Sequence, residues 1–233
     1  PDAMLVGAFE TAFHQTIPLE RRIYGIPWEW YEKYGIQRLG YHGASHSYVA
    51  ETLTELYGST GKAISCHLGG SGSLCAINDG KSVDTSFGIS LQVGVIQSNR
   101  CGDIDPFIVP FLQKEGLSLD EVLDGLTKKG GLLGISGVSN DLRDVQEAAD
   151  AGNERAKLAI DIFCNGIVRH IGAYFAELGG LDHLVFTGGI GEHGTRIREA
   201  VCNQLRHMGV WLDPARNENC DGGNVVISQE DSP

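Results

Sequence analysis

Apolar positions along the chain change period, and the changes divide it into elements. Over 44–57, Tyr48, Val49, Leu53 and Leu56 recur at helical spacing, with Ser45 placed to cap the helix. Residues 62–68, 73–78 and 81–86 read as three short strands, the last two joined through Asn78-Asp79-Gly80, a hairpin signal. Together they predict an antiparallel meander. An earlier apolar run, 4–9, predicts a buried strand followed by a loop over 10–18. Beyond Pro106 the pattern turns helical: 106–115, 118–128 with Ser118 ahead of Asp120 and Glu121, 140–151, and a long helix over 153–178. A buried strand over 183–187 then enters Gly188-Gly189-Ile190-Gly191. A helix follows, with Ile197, Val201 and Leu205 at fourfold spacing, and two short strands near 209–213 and 224–228 end the chain. A meander, then helices, then a strand–glycine–helix unit predicts an α/β domain rather than a sandwich or a bundle.

Composition agrees with a globular domain and narrows the function classes. Of 233 residues, 42% are hydrophobic and 21% charged, ordinary values for a chain that buries a core. No apolar run approaches the roughly 18–20 residues that span a bilayer, and no basic region followed by an apolar stretch marks a secretory leader. Thirty acidic residues against 18 basic ones leave a net charge of −12, the wrong sign for a polybasic nucleic-acid binder. The six cysteines (Cys66, Cys75, Cys101, Cys164, Cys202, Cys220) form no C-x-x-C pair and no Cys/His ligand spacing. They read as reduced thiols, mostly small buried hydrophobes, in a cytoplasmic protein. A first residue that is Pro1 rather than Met suggests a piece of a longer chain.

The 32 glycines are about twice the usual share, and they cluster. Gly69-Gly70-Ser71-Gly72 lies between two expected strands, directly after His67. Glycines that adopt positive φ let several N–H groups converge on an anion, although the same segment also suits a plain hairpin turn. Gly188-Gly189-Ile190-Gly191 lies between a buried strand and a helix, where the helix N-terminus adds unpaired donors and partial positive charge. Close strand-to-helix packing is the alternative there. A third cluster, Gly130, Gly131, Gly134 and Gly137, reads as a connection between helices. Two phosphate-type turns on opposite sides of one domain suggest a nucleotide in a cleft.

That arrangement belongs to the sugar kinase, heat-shock ATPase and actin superfamily, and several segments resemble acetate kinase within it. They are FETAFHQTIP at 9–18, YHGASH at 41–46, HLG at 67–69, GKSVDTS at 80–86, RCGDIDP at 100–106, ISGVSNDLRD at 135–144 and FTGGIGE at 186–192. They occur in the family's order and cover nearly the whole chain. The resemblance implies a ribonuclease H-like, actin-type ATPase domain, a mixed β-sheet flanked by helices. It also implies in-line transfer of the γ-phosphoryl of ATP to the carboxylate of acetate or another short acyl acid. Because nucleophile and transferring group are both anionic, the protein's task is to supply positive charge, donors and alignment. Arg100, His42 and Glu10 fall at the family's catalytic positions. Arg100 would offer a planar fork of donors to the equatorial oxygens, and His42 would meet the phosphoryl group as donor or cation. His67, Gly69, Gly70, Ser71 and Gly72 match the phosphate side. Asp141, Leu142, Arg143, Gly188, Gly189, Ile190 and Gly191 match the nucleotide side, and Tyr41 and Leu91 match the acyl pocket. His46 is expected to pack or hydrogen-bond, and His14 to be structural.

The chain departs from the family pattern at four places. Glu10 stands where the family has aspartate, Gly70-Ser71-Gly72 replaces Gly-Asn-Gly, and LQVGVIQSNR at 91–100 keeps little beyond Gly94 and Arg100. Leu142 stands in place of a phenylalanine, which should weaken base stacking. These changes suit a divergent acyl kinase, a relative using another donor such as pyrophosphate, or a non-catalytic nucleotide-binding domain. The resemblance further implies that residues 1–233 are the C-terminal, nucleotide-binding domain of a two-domain kinase. The first domain and the segment carrying the magnesium-binding glutamate would lie outside it, so no metal ligand is expected in this chain. The whole protein would use ATP/ADP with Mg2+ and form a homodimer.

Overall fold

The structure, a computed structural model, describes residues 4, 6, 7, 9–220 and 222–232. A 3-10 turn, Ala12–Thr16, and two short helices, α1 (Leu19–Arg22) and α2 (Trp28–Tyr34), precede helix α3 (Gly43–Tyr57). The meander follows as β1 (Lys62–Leu68), β2 (Gly72–Asn78) and β3 (Lys81–Thr85). Helices α4 (Ile108–Lys114), α5 (Leu119–Lys128), α6 (Gly131–Ser136), α7 (Leu142–Asp150) and α8 (Glu154–Leu178) lead to β4 (His183–Thr187). The last elements are α9 (Gly188–His193), α10 (Thr195–Gln204) and α11 (Pro214–Glu218).

The sheet runs β3-β2-β1-β4, antiparallel through the meander and parallel between β1 and β4. Alternation along β1 and β2 sends successive side chains to opposite faces. Ile64, Cys66, Leu68, Leu74 and Ala76 join the larger core with α6, α7, α8 and α10. Ala63, Cys75 and Ile77 pack instead on Val49, Ala50 and Leu53 of α3. This is a mixed sheet with helices on both faces, an α/β domain as the pattern of elements predicts and the mixed, helix-flanked sheet that the resemblance implies.

Most boundaries agree with the pattern, and their caps explain them. Ser118 and Glu121 form a complete capping box on α5, and Asn153 caps α8 through Arg155 and Ala156 N–H groups. Several expectations fail. In the strand expected over 4–9, Leu5 and Ala8 lie outside the described residues, while Met4, Val6 and Phe9 are 78–86% exposed and not buried. Part of the loop expected over 10–18 is the 3-10 turn, and α1 and α2 have no counterpart in the pattern. Ser45 does not cap α3: His42 occupies the N-cap position in a left-handed conformation (φ 56°), without a side-chain capping bond, while the Ser45 hydroxyl bonds a histidine on β1. The two terminal strands reduce to one bridge, Leu212 to Ser228, because Gly222 and Gly223 turn the chain with positive φ before exposed Val225 and Val226. The six cysteines are free, and Cys66, Cys75, Cys164 and Cys202 are buried. No helix among the described residues is long and apolar enough to cross a membrane.

Candidate active site

The meander and α3 assemble a cluster of histidines because two periodicities coincide. On α3, His42 and His46 stand one turn apart and face the sheet. On the sheet, Ser65, His67 and Ser73 share the α3 face, and His67 pairs directly across from Ser73. The rings of His42 and His67 lie 4.2 Å apart, and those of His46 and His67 6.4 Å. His67 Nδ1 is 2.9 Å from the Ser45 hydroxyl. His14 is buried: its Nε2–H donates to the Tyr41 carbonyl at 2.9 Å, which leaves Nδ1 to accept from Ser82 Oγ at 2.9 Å. His46 is fully buried, so neither it nor His14 meets solvent.

Burial decides the charge of this cluster. The His42 pKa falls to about 4, first through desolvation and then through the neighbouring His67, Arg100 and His14. Burial also lowers His14, His46 and His67, the last opposed by the carboxylates of Glu10 and Glu192. His42 is therefore neutral at pH 7, a hydrogen-bond donor rather than a cation. Its left-handed backbone is uncommon outside glycine and costs on the order of 1–3 kcal/mol, a strain kept only where the surroundings fix it. Gly43 supplies part of that fixing. Its N–H donates to the Glu10 carbonyl at 2.9 Å, and a Cβ there would lie 2.3 Å from the same oxygen. Glu10, His42 and His67 are thus brought together.

Arg100 joins them from the loop after the meander. Its Nη1 donates to Ser71 Oγ at 3.1 Å and to Gln97 Oε1 at 3.0 Å. The serine that replaces the family's asparagine therefore holds the arginine. The third glycine cluster does more than connect helices: Gly131 (φ 60°) starts α6 against the Arg100 loop, where Leu132 and Leu133 N–H groups donate to Gln97 and Ser98 carbonyls at 2.9 Å. Gly94 (φ 89°) is retained because a Cβ would lie 2.9 Å from the Ser86 carbonyl.

Beside this cluster opens a cleft of about 640 Å³ between the two other glycine segments, a volume in the range of small-molecule sites. Gly69, Gly70, Asp141, Leu142, Arg143, Gly189 and Ile190 line it, as expected, together with Ser98, Asn140, Gln146, His193 and Gly194, which the motifs did not single out. Ser71, Gly72, Gly188 and Gly191 are not on its wall. The two readings of each glycine segment separate residue by residue. Gly69, Gly70 and Gly72 do not have positive φ, so the first segment is a hairpin turn whose residues 69 and 70 face the cleft. The second segment is not a loop before a helix but the first turn of α9. Gly188 (φ 77°) is needed for packing, since a Cβ would lie 2.7 Å from the Leu68 carbonyl, and Gly191 abuts Phe186. Gly189 has no such reason: a Cβ there would meet nothing within 4 Å. Fully buried Arg198 donates to the carbonyls of Gly191 and Glu192 and to Asn217, locking this turn from behind.

On the opposite wall Asp141 caps α7 and grips Arg143 through Nε and Nη2, which holds its carboxyl down to about 2. The Arg143 side chain is 88% exposed and flat against its partner, a surface on which a base can stack. Leu142 is 6% exposed and packs with Val145 in the core, so a ring at this position would act first on packing. Tyr41 packs edge-on to Phe87, and its hydroxyl donates to the Ile89 carbonyl at 2.9 Å. Gln97 Nε2 donates to the Leu91 carbonyl at 2.8 Å, which ties the acyl-pocket candidate to the Arg100 loop.

Comparison with known proteins agrees with this geometry. The family model described as the acetokinase family matches residues 1–233. An acetate kinase of Dictyoglomus thermophilum is 50% identical over 236 residues, covering 100% of this chain and 59% of that protein. A propionate kinase of Citrobacter rodentium is 51% identical over 235 residues, covering 99% and 57%. The crystal structure of Porphyromonas gingivalis acetate kinase superposes with a TM-score of 0.93 at 41% identity, over 97% of this chain and 58% of that one. The chain thus spans less than two thirds of each of these proteins, and its fold is the actin-type ATPase fold of the acetate kinases.

Proposed function

Because this chain belongs to the acetokinase family, we propose that it carries the nucleotide-binding half of a kinase that transfers the γ-phosphoryl of ATP to a short carboxylic acid. The observation that carries the reading is the grouping of Arg100, His42 and His67 beside the Gly69-Gly70 wall of the 640 Å³ cleft, which His67 adjoins in sequence and Arg100 reaches through Ser71. ADP would lie between residues 69–70 and 189–190, its base against Arg143. An acyl oxygen would attack the γ-phosphorus in line as the bond to the β-bridging oxygen breaks, giving acyl phosphate and ADP. Among the described residues Arg100 uses only Nη1 within the protein. Nε and Nη2 remain for the equatorial oxygens, where charge builds in the transition state. Neutral His42 would donate to one of those oxygens, and Tyr41 and Leu91 would face the acyl tail.

Among the described residues no three His, Cys, Asp or Glu side chains converge on a metal position. Mg2+ would arrive with the triphosphate, which suits an ion that keeps several waters and few protein ligands; it would offset charge on the phosphates. The two-domain organisation, the homodimer and the cytoplasmic setting belong to the same proposal. This chain by itself is expected to be inactive, so the test is to incubate the full-length protein with ATP, Mg2+ and acetate, propionate or butyrate and trap acyl phosphate with hydroxylamine. Product with acetate or propionate is expected. No product with any acid, from folded protein of full length, would sink the reading.

A further inference from the structure

Behind His42 lies a run of polar side chains that phosphoryl transfer does not itself use. Ser73 Oγ is 3.0 Å from His42 Nδ1 and 2.9 Å from His46 Nε2, and His46 Nδ1 is 2.9 Å from Ser65 Oγ. Ser65, Ser73 and His46 are fully buried, so none can turn to water for a missing partner. A hydroxyl has one hydrogen. Ser73 can therefore donate to one of its two rings and must accept from the other. Burial keeps both rings neutral, so each carries one N–H.

Only two proton orders satisfy every bond. In the first, the Ser65 hydroxyl donates to His46 Nδ1, His46 Nε2–H donates to Ser73 Oγ, and the Ser73 hydroxyl donates to His42 Nδ1. His42 then carries its hydrogen on Nε2. In the second every bond reverses, and His42 Nε2 is a bare lone pair. A lone pair repels an anionic phosphoryl oxygen, whereas an N–H bonds it.

We propose that Ser73 is a positioning residue, the centre of a Ser65–His46–Ser73–His42 relay whose proton order presents His42 to the transferring phosphoryl group as an Nε2–H donor. The relay orients protons and transfers none. Its consequence for rate rests on the phosphoryl-transfer reading above, but the tautomers belong to the fold and are read without turnover. The sheet register supplies the geometry: Ser73 lies opposite His67, two residues along β1 from Ser65, on the α3 face. The left-handed backbone of His42 aims its ring at that face.

Nitrogen-15 spectra of histidine-labelled protein, with ADP, Mg2+, acetate and aluminium fluoride as a phosphoryl mimic, read each tautomer directly. Both His42 and His46 are expected with hydrogen on Nε2 and a bare Nδ1; hydrogen on Nδ1 of either ring overturns the relay. Ser73→Ala should give His42 a mixture of tautomers and lower kcat on the order of tenfold, the worth of one hydrogen bond, with KM for ATP unchanged. Ser73→Thr keeps the hydroxyl and should restore both. An alanine variant with an unmixed His42 tautomer and an unchanged kcat would also overturn it. Should that variant not fold, the wild-type spectrum alone decides. If the wild type forms no acyl phosphate, the functional reading fails while the spectrum still judges the relay.

Discussion

Arg100 is held at one corner of its guanidinium, and that single anchor defines what its loss should do. Ser71 and Gln97 take Nη1, so the remaining donors are aimed without being consumed. Arg100→Ala is expected to lower the maximal rate of acyl phosphate formation by on the order of a hundredfold or more. Arg100→Lys should recover little, because a point charge does not reproduce the planar fork. A near-normal rate for the alanine variant in the hydroxylamine assay would remove Arg100 from its assigned role. At this scale the motifs singled out Arg100, His42, His67 and Glu10, since each sits in a distinctive local string. Ser65, Ser73 and Gln97 were not legible. Serine and glutamine are common, and theirs is a role created by cross-strand register and loop closure, not by any neighbour in sequence.

At the scale of elements, α6 shows how a short helix can govern a site it does not enter. The Leu132 and Leu133 N–H groups of its first turn donate to the Gln97 and Ser98 carbonyls of the Arg100 loop, and Gly131 lies so close that a Cβ would overlap the Gln97 carbonyl and lie 2.8 Å from that of Arg100. Gly131→Ala should destabilise the fold by about 1–3 kcal/mol, from positive φ and overpacking together. It should also reduce kcat by displacing Arg100. Gly116→Ala serves as the control: it also has positive φ (101°), but a Cβ there meets nothing within 4 Å. Urea unfolding and kcat of the two variants check this, and equal effects on kcat would show that α6 does not position the loop. From sequence, Gly130 to Gly137 read as a connector because glycine lowers helix propensity. Tertiary hydrogen bonds to the 97–100 loop override that propensity. Strand β4 and helix α10 were legible for the converse reason, their apolar periods being strong and local, although β4 is half-buried along its length rather than buried and α9 between them was not expected.

For the whole molecule, the buried histidines make stability depend on pH. His14, His42, His46 and His67 all have folded-state pKa values below the ordinary 6.5. Below pH 6.5 the unfolded chain binds protons that the folded chain refuses, so stability falls as pH falls toward about 4, where His42 itself protonates. Asp84 and Glu177, whose carboxyls burial raises, act in the opposite sense, but they are two groups against five histidines, since burial lowers His183 as well. The urea midpoint should therefore be lower at pH 5 than at pH 7.5. A midpoint that is equal or higher at pH 5 would mean that the histidine cluster is not buried as described.

The sequence by itself determined the order and kind of most elements, the two glycine segments that face the cleft, and the strings that carry Arg100, His42 and His67, because these depend on local periodicity and on residues a few places apart. Only the tertiary structure decided which glycines serve packing and which leave space. Gly188 packs on Leu68 of β1, 120 residues away in the chain, and Gly191 on Phe186 of β4, five residues away, while Gly189 faces open volume. It also decided the protonation of the histidines. Charge in a buried group follows from the desolvation and neighbours that β1, β2 and α3 supply together, and those faces meet only when the segments pack.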